Sequence, residues 1–325
     1  MKKTYFVLCT AVLLLSIQSC FFLAPVAVSN SIKIRKPTDV KFEQEELDQL
    51  QQTTTLFVLR DHDYAQKEAF ERAIREVWTF TDIEFVFYDE ISASFDGLYS
   101  YFFLDNRVIE YNHSLLGFFR LNSVRLQLFY PKIKEKKSGK ISDDSPVFGH
   151  AYIQLEESFR DSLSTFEPNE VGEQLYRFGE IPNWTPEILA LYLAEINAEL
   201  EEADFQYNSY IGFQEREGLR KLSTDTLYIP DYLLSDSRIN YYDLAIEKVM
   251  KKYKNPYRVL AVEELDQLLQ SGENIYFLES GTIEYDVHYQ RIWSTEYGRV
   301  YSKITRGLGN YLVLKIKGMP KQRTN

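Results

Sequence analysis

Thr55-Leu56-Phe57-Val58 and, farther along, Ala73-Ile74-Arg75-Glu76-Val77 have counterparts about 172 residues later. There the chain reads Thr226-Leu227-Tyr228-Ile229 and Ala245-Ile246-Glu247-Lys248-Val249. After a two-residue slip the likeness continues, pairing Asp89-Glu90-Ile91 with Glu263-Glu264-Leu265 and Phe102-Phe103-Leu104-Asp105 with Tyr276-Phe277-Leu278-Glu279. Ile109-Glu110-Tyr111 then matches Ile283-Glu284-Tyr285 in the same register. Colinear matches of this kind mark a degenerate duplication, so one structural unit should be built twice.

Each copy reads alike. A β-branched and aromatic run opens it, at 56–60 and at 227–229. A helix follows, because Phe70, Ala73, Ile74, Val77 and Trp78 recur at three- and four-residue spacing, as do Tyr242, Ala245, Ile246, Val249, Met250 and Tyr253. Turns at Thr81-Asp82 and Asn255-Pro256 lead into second strands at 83–88 and 257–262. A short acidic helix is clearest at 263–270, where Ser271-Gly272 ends it. Strands are expected at 101–104 and 108–111, matched by 275–278 and 282–287. The copies close with runs at 124–130 and 150–155, and at 299–304 and 311–316.

A strand–helix–strand opening is best satisfied by a parallel crossover, and closely spaced later strands by antiparallel hairpins. The expected fold is therefore α/β, in the mixed α+β sense: two small mixed-sheet domains with helices on one face. Between them, Thr185-Pro186-Glu187 makes a helix start, with an N-cap hydroxyl, proline at the first position and an acid in the first turn. Leu189, Tyr192, Leu193, Ile196 and Leu200 then form an apolar stripe opposite Glu195, Glu199, Glu201 and Glu202. A linker needs no such stripe, so this helix should pack on one or both copies. The expected organisation is 1–19 signal peptide, 20–52 anchor and tether, 53–155 first domain, 156–223 helical connector, 224–318 second domain and 319–325 tail. The basic run at 132–140, followed by Asp143-Asp144, reads as an exposed loop.

Lys2 and Lys3 precede an acid-free apolar run, the pattern of a secretory signal. Ser16-Ile17-Gln18-Ser19-Cys20 closes that run and resembles the lipobox of bacterial lipoproteins, whose commoner form carries Leu where Ser16 or Ile17 stands. The resemblance implies cleavage before Cys20 and acylation of its thiol and new amine, and several acyl chains anchor where one does not. Two other readings are an uncleaved anchor extended through Phe21, Phe22, Leu23 and Val28, and ordinary cleavage after a residue such as Ser29. All three export the chain, to the periplasm or the cell surface. Glu263-Glu264-Leu265-Asp266-Gln267-Leu268-Leu269 is similar to a stretch in small α/β domains of periplasmic lipoproteins of secretion and envelope machinery. The whole resembles two-part bacterial envelope lipoproteins, a likeness that supplies no activity.

The chain has 325 residues, with 37 Lys and Arg against 48 Asp and Glu, a formal charge of -11. Such a balance argues against nucleic acid, and it leaves membrane attachment to the anchor. The two cysteines, Cys9 and Cys20, support neither a disulfide scaffold nor a four-ligand zinc site. G-x-S-x-G, P-loop, H-E-x-x-H and C-x-x-C patterns are all absent from the sequence. Gly307-Leu308-Gly309 reads as a hairpin turn, and no cofactor or metal is expected. Asp61-His62-Asp63 lies after the first strand, where Asp61 and Asp63 would share a face of extended chain, or Asp63 would cap the next helix. Glu110 and Glu284 recur in the two copies, as do Glu90 and Glu264, and paired carboxylates could serve a glycosidase. The leading reading is a lipid-anchored envelope protein with a binding or structural role. Its partners are membrane lipid through Cys20 and an envelope protein or glycan. The alternative is a periplasmic hydrolase using acids and tyrosines in the cleft between the copies, with Tyr285, Tyr289 and Tyr297 among the latter.

Overall fold

The computed structural model describes residues 44–91, 98–113, 117–131, 133–135, 141–143, 145–167, 170–203, 214–234, 250, 253–284 and 287–306. Cys20 and the whole expected signal and lipobox, the helix at 242–249, the strand at 311–316 and the tail lie outside these residues. The first sheet contains β1 Thr54–Leu59, β2 Asp82–Phe87, β3 Tyr99–His113, β4 Gly117–Phe129 and β7 Val147–Ile153. The second contains β8 Leu227–Pro230, β9 Tyr257–Leu260, β10 Tyr276–Glu284, β11 Val287–Ser294 and β12 Gly298–Arg306. A small ribbon, β5 Ile133–Glu135 with β6 Ile141–Asp143, occupies part of the stretch read as an open loop.

The two sheets share one topology. In order they run β2-β1-β3-β4-β7 and, in equivalent positions, β9-β8-β10-β11-β12. In each, the first three strands in the chain are mutually parallel, with the first in the middle. The last two add antiparallel. Helix α2 (Lys67–Arg75) makes the first crossover and buries Phe70 and Ile74. The fold is thus mixed α+β with two similar mixed sheets.

Several expected elements need correction. The pair expected at 101–104 and 108–111 is one continuous strand, β3, and the pair expected at 275–278 and 282–287 runs together as β10 as far as Glu284. Asp105-Asn106-Arg107 and Glu279-Ser280-Gly281 resemble turn punctuation, yet cross-strand pairing carries the backbone straight through them. Residues 287–294, where the sequence gives no separate strand signal, form β11, so among the described strands of this sheet 299–304 falls fifth in the chain and not fourth. The tether also ends earlier than residue 52: α1 (Gln44–Gln51) buries Leu47 and Leu50 in the main core.

Side-chain alternation divides the first sheet into two faces. Phe57, Phe85 and Phe102 sit side by side on one, with Trp78 and Trp184 packed against them. Tyr101, Phe103 and Phe129 lie on the other, where α4 (Val171–Phe178), which follows α3 (Glu157–Ser162), contributes Tyr176. Where β1 ends, the freed Leu104 N–H donates to the Tyr176 hydroxyl at 2.7 Å.

Helix α5 (Pro186–Glu202) forms the layer between the sheets. Thr185 caps it through the Ile188 N–H, and Ala203, in the left-handed region at φ 49°, ends it. Ile196 packs so closely on β7 that a Cβ at Gly149 would stand 2.6 Å from its Cγ2. On the other side, Tyr192 meets Trp293 of β11 at 5.5 Å between ring centroids. Leu189, Tyr192, Leu193, Ile196 and Leu200 all lie in the main core, which continues into Leu260, Leu265, Ile275, Phe277 and Trp293. Helix α6 (Arg216–Leu222) covers the far face of the second sheet with Leu219 and Leu222, beside Leu227, Ile229, Leu278 and Ile292.

Leu193 is fully buried, so Leu193→Asp should lower unfolding stability by about 4 kcal/mol, the expectation for an unpaired charge in a core. Ala198→Lys, a charge on the exposed side of the same helix, should stay within about 0.5 kcal/mol, with urea titration of both variants as the measurement.

Candidate functional site

Residues 61–66 form a 3₁₀ turn, not extended chain, so Asp61 and Asp63 do not converge. Asp61 and His62 face solvent, while Asp63 is buried. Its Oδ2 accepts from the Arg60 N–H at 2.8 Å and the Trp184 indole N–H at 2.9 Å. Its Oδ1 takes the Arg60 guanidinium at 2.9 Å, and that guanidinium also donates to the Gly179 carbonyl at 2.9 Å. The Asp63 carboxylate therefore staples the end of β1 to the connector and is fully occupied. In the second copy the 3₁₀ turn Asp231–Leu233 buries Leu233 instead.

Glu110 pairs with Arg120 along the β3–β4 hairpin, and Glu284 pairs with Val287 at the β10–β11 turn. They lie on equivalent strands of separate sheets. Their side chains, like those of His113 and His288, are outside the described set. Glu90 accepts from the Phe87 N–H at 2.7 Å, and Glu264, in the first turn of α7 (Val262–Gln270), pairs with Arg258 at 3.1 Å.

The densest chemistry is at the junction of α5 with the second sheet, at residues that no motif marks. Glu279, buried on β10, accepts from the Tyr289 hydroxyl at 2.9 Å and the Trp293 indole N–H at 2.5 Å. Arg291, its cross-strand neighbour, places NH1 3.9 Å from Glu279 and 3.8 Å from Glu195 of α5. Arg299 of β12 closes on Glu195 at 2.7 Å. Glu195 is thus engaged at the junction, not left on a solvated face. Burial pushes the Glu279 carboxyl above the usual carboxylate range, with Arg291, Trp293 and Tyr289 pulling it back. The Tyr192 and Tyr289 hydroxyls are held far above their ordinary range, again by burial and then by Glu279.

The first sheet carries the same acid–arginine register. Asp105 on β3 stands opposite Arg125 on β4, as Glu279 stands opposite Arg291, and all four are buried. Arg125 lies over the Tyr152 ring, Tyr152 stacks on Tyr289 at 5.1 Å, and Arg291 lies over Tyr289. This column spans the two sheets. Gln154 secures it, donating to the Ser280 carbonyl at 2.7 Å and the Tyr289 hydroxyl at 3.2 Å. A Cβ at Gly281 would displace the Gln154 amide and crowd the Tyr289 ring, so the absence of a side chain there admits this approach.

Both Glu279 oxygens are engaged by protein donors, which suits a lock between domains better than a reactive group. Among the described residues, no three His, Cys, Asp or Glu side chains are grouped to hold a metal ion. Exposed chemistry lies elsewhere, at the carboxyl ends of β1 and β2, where ligands collect in open sheets. Tyr64, 77% exposed, packs on Phe87 there, and Phe178, 56% exposed, ends the helix whose Gly179 carbonyl Arg60 holds. Comparison with protein-family models, with curated proteins and with solved structures gives no match in any of the three.

Asp63→Ala should cost about 3 kcal/mol, because it leaves Arg60 and Trp184 buried without their acceptor. Asp61→Ala should change stability by less than about 0.5 kcal/mol. Denaturant unfolding of the two variants separates a staple from a surface acid.

Proposed function

We propose that this is an exported, lipid-anchored protein of the cell envelope that acts by binding and not by catalysis. The observation that carries the binding reading is Tyr64, exposed and packed on Phe87 close in the chain to the solvent-facing Asp61 and His62, with Phe178 exposed next to the Gly179 carbonyl that Arg60 holds. Apolar rings kept in water and rimmed by polar groups mark contact surfaces where they are contiguous, and the exposed Tyr64 ring extended by Phe87 is the candidate for such a patch. An envelope protein or a glycan fits it, since both offer flat apolar faces edged by hydrogen-bonding groups. The hydrolase reading needs acids facing a cleft between the copies. The junction instead holds Glu279, Tyr289 and Gln154 in mutual hydrogen bonds.

The anchor rests on Ser19-Cys20 at the end of the apolar run. Among the described residues no helix is long and apolar enough to cross a membrane. Metabolic fatty-acid labelling of the full chain should mark the wild type and not Cys20→Ala, and the variant should leave the membrane fraction. An unlabelled wild type, or a Cys20→Ala chain still anchored, would refute lipidation. For the surface, the test is made in the unanchored Cys20→Ala chain: adding Tyr64→Ser with Phe178→Ser should abolish its cosedimentation with detergent-washed cell-envelope material while leaving the unfolding midpoint unchanged. Undiminished cosedimentation would show that these rings are not the contact.

A further inference from the structure

Glu187 was expected to be an ordinary first-turn acid, favoured as a carboxylate by the helix dipole. Its surroundings reverse that. Glu187 on α5 meets Asp266 on α7, so the helix shared by both sheets touches the second domain's helix through two carboxyl groups. Glu187 Oε2 and Asp266 Oδ1 are buried and accept from no donor, which is the arrangement of two acids with one proton between them. Asp266 Oδ2 is occupied separately, by the Gln270 amide at 3.0 Å.

We propose that Glu187 and Asp266 form a proton-operated clasp between the connector helix and the second domain. With one proton the two carboxyls hydrogen-bond across the helix contact; without it two carboxylates face each other and α7 loosens from α5. Of the other acids on the two helices, Glu263, one turn before Asp266, and Glu202 are exposed to water, and three more are committed to other groups. Glu195, two turns along α5, is held by Arg299 and Arg291, and Glu264 of α7 is held by Arg258. Glu201, facing α2's end of the connector, accepts from Thr79 and Asn197. The groups acting on Glu187 itself are Asp266, Gln270 and its own backbone N–H.

Burial, then the Asp266 hydrogen bond, pushes the Glu187 carboxyl up to about 7. A carboxyl raised above its unfolded value holds its proton in the docked state. Docking is therefore strongest below about pH 4.5, weakens as pH rises through about 7, and levels off beyond. The clasp would grip in mildly acidic surroundings and slacken in alkaline ones, a response suited to a protein outside the buffered cytoplasm.

Hydrogen exchange of the full chain tests this, with rates corrected for the intrinsic effect of pH. Protection of the peptides covering 186–192 and 262–270 should fall by up to about tenfold between pH 6 and pH 8. In Glu187→Gln, whose amide can donate to Asp266 at any pH, it should stay flat. Equal pH responses in wild type and variant, or a flat wild type, would overturn the clasp. Carboxyl carbon NMR of the wild type needs no variant: Glu187 should titrate near neutrality, and a midpoint at an ordinary carboxylate value would overturn it equally.

Discussion

Burial of α5 on two sides at once is the constraint on which this architecture depends. Ile188, Tyr192, Ile196 and Leu200 form one row along the helix, and Leu189 and Leu193 the neighbouring row, all buried. A helix apolar over so wide an arc can only sit inside a protein. The first sheet offers β7, with Gly149 admitting Ile196, and the second offers Trp293 to Tyr192. Neither sheet completes the main core without the helix. Two copies of a small unit thus become one molecule through a segment that is not itself duplicated.

The buried charges follow from that closure. Each copy carries an acid on its third strand opposite an arginine on its fourth, a register that duplication repeats. An exposed pair of this kind contributes little, whereas a buried pair interacts strongly but has lost its water. The second copy restores the lost hydrogen bonds with Tyr289 and Trp293, and α5 adds Glu195 toward Arg291. Such a network can serve stability or specificity, and specificity is the better account: apolar side chains of equal volume would fill the space but would not fix the angle between sheets. Tyr152 stacked on Tyr289 sets that angle from the other side.

The duplication was legible because its matches fall on strands and on a helix whose periodicities are strong. Asp105 and Glu279 were the hard cases: acids beside Asn106-Arg107 and Ser280-Gly281 carry local turn chemistry, and only pairing with a strand far along the chain overrides it. β11 escaped for a related reason. Tyr289, Gln290, Arg291, Ile292 and Trp293 are all buried, so the alternation that betrays a half-exposed strand is missing. Asp63 has the local pattern of a reactive acid, yet it is committed to Arg60, three residues before it, and to Trp184, 121 residues farther along the chain. Glu187 does sit where a helix dipole favours a carboxylate. Asp266, 79 positions away, and the loss of water that their contact imposes outweigh that local preference.

If α5 makes the two sheets one cooperative unit, they must unfold together. Trp293→Phe leaves Trp78 and Trp184 to report on the first sheet, and replacing those two by Phe leaves Trp293 to report on the second. In each variant, tryptophan fluorescence and far-ultraviolet circular dichroism are followed through a urea titration. The account predicts one coincident transition by both probes in both variants. A first-sheet transition separated from a second-sheet transition would contradict it, and would make α5 a tether between two independent domains.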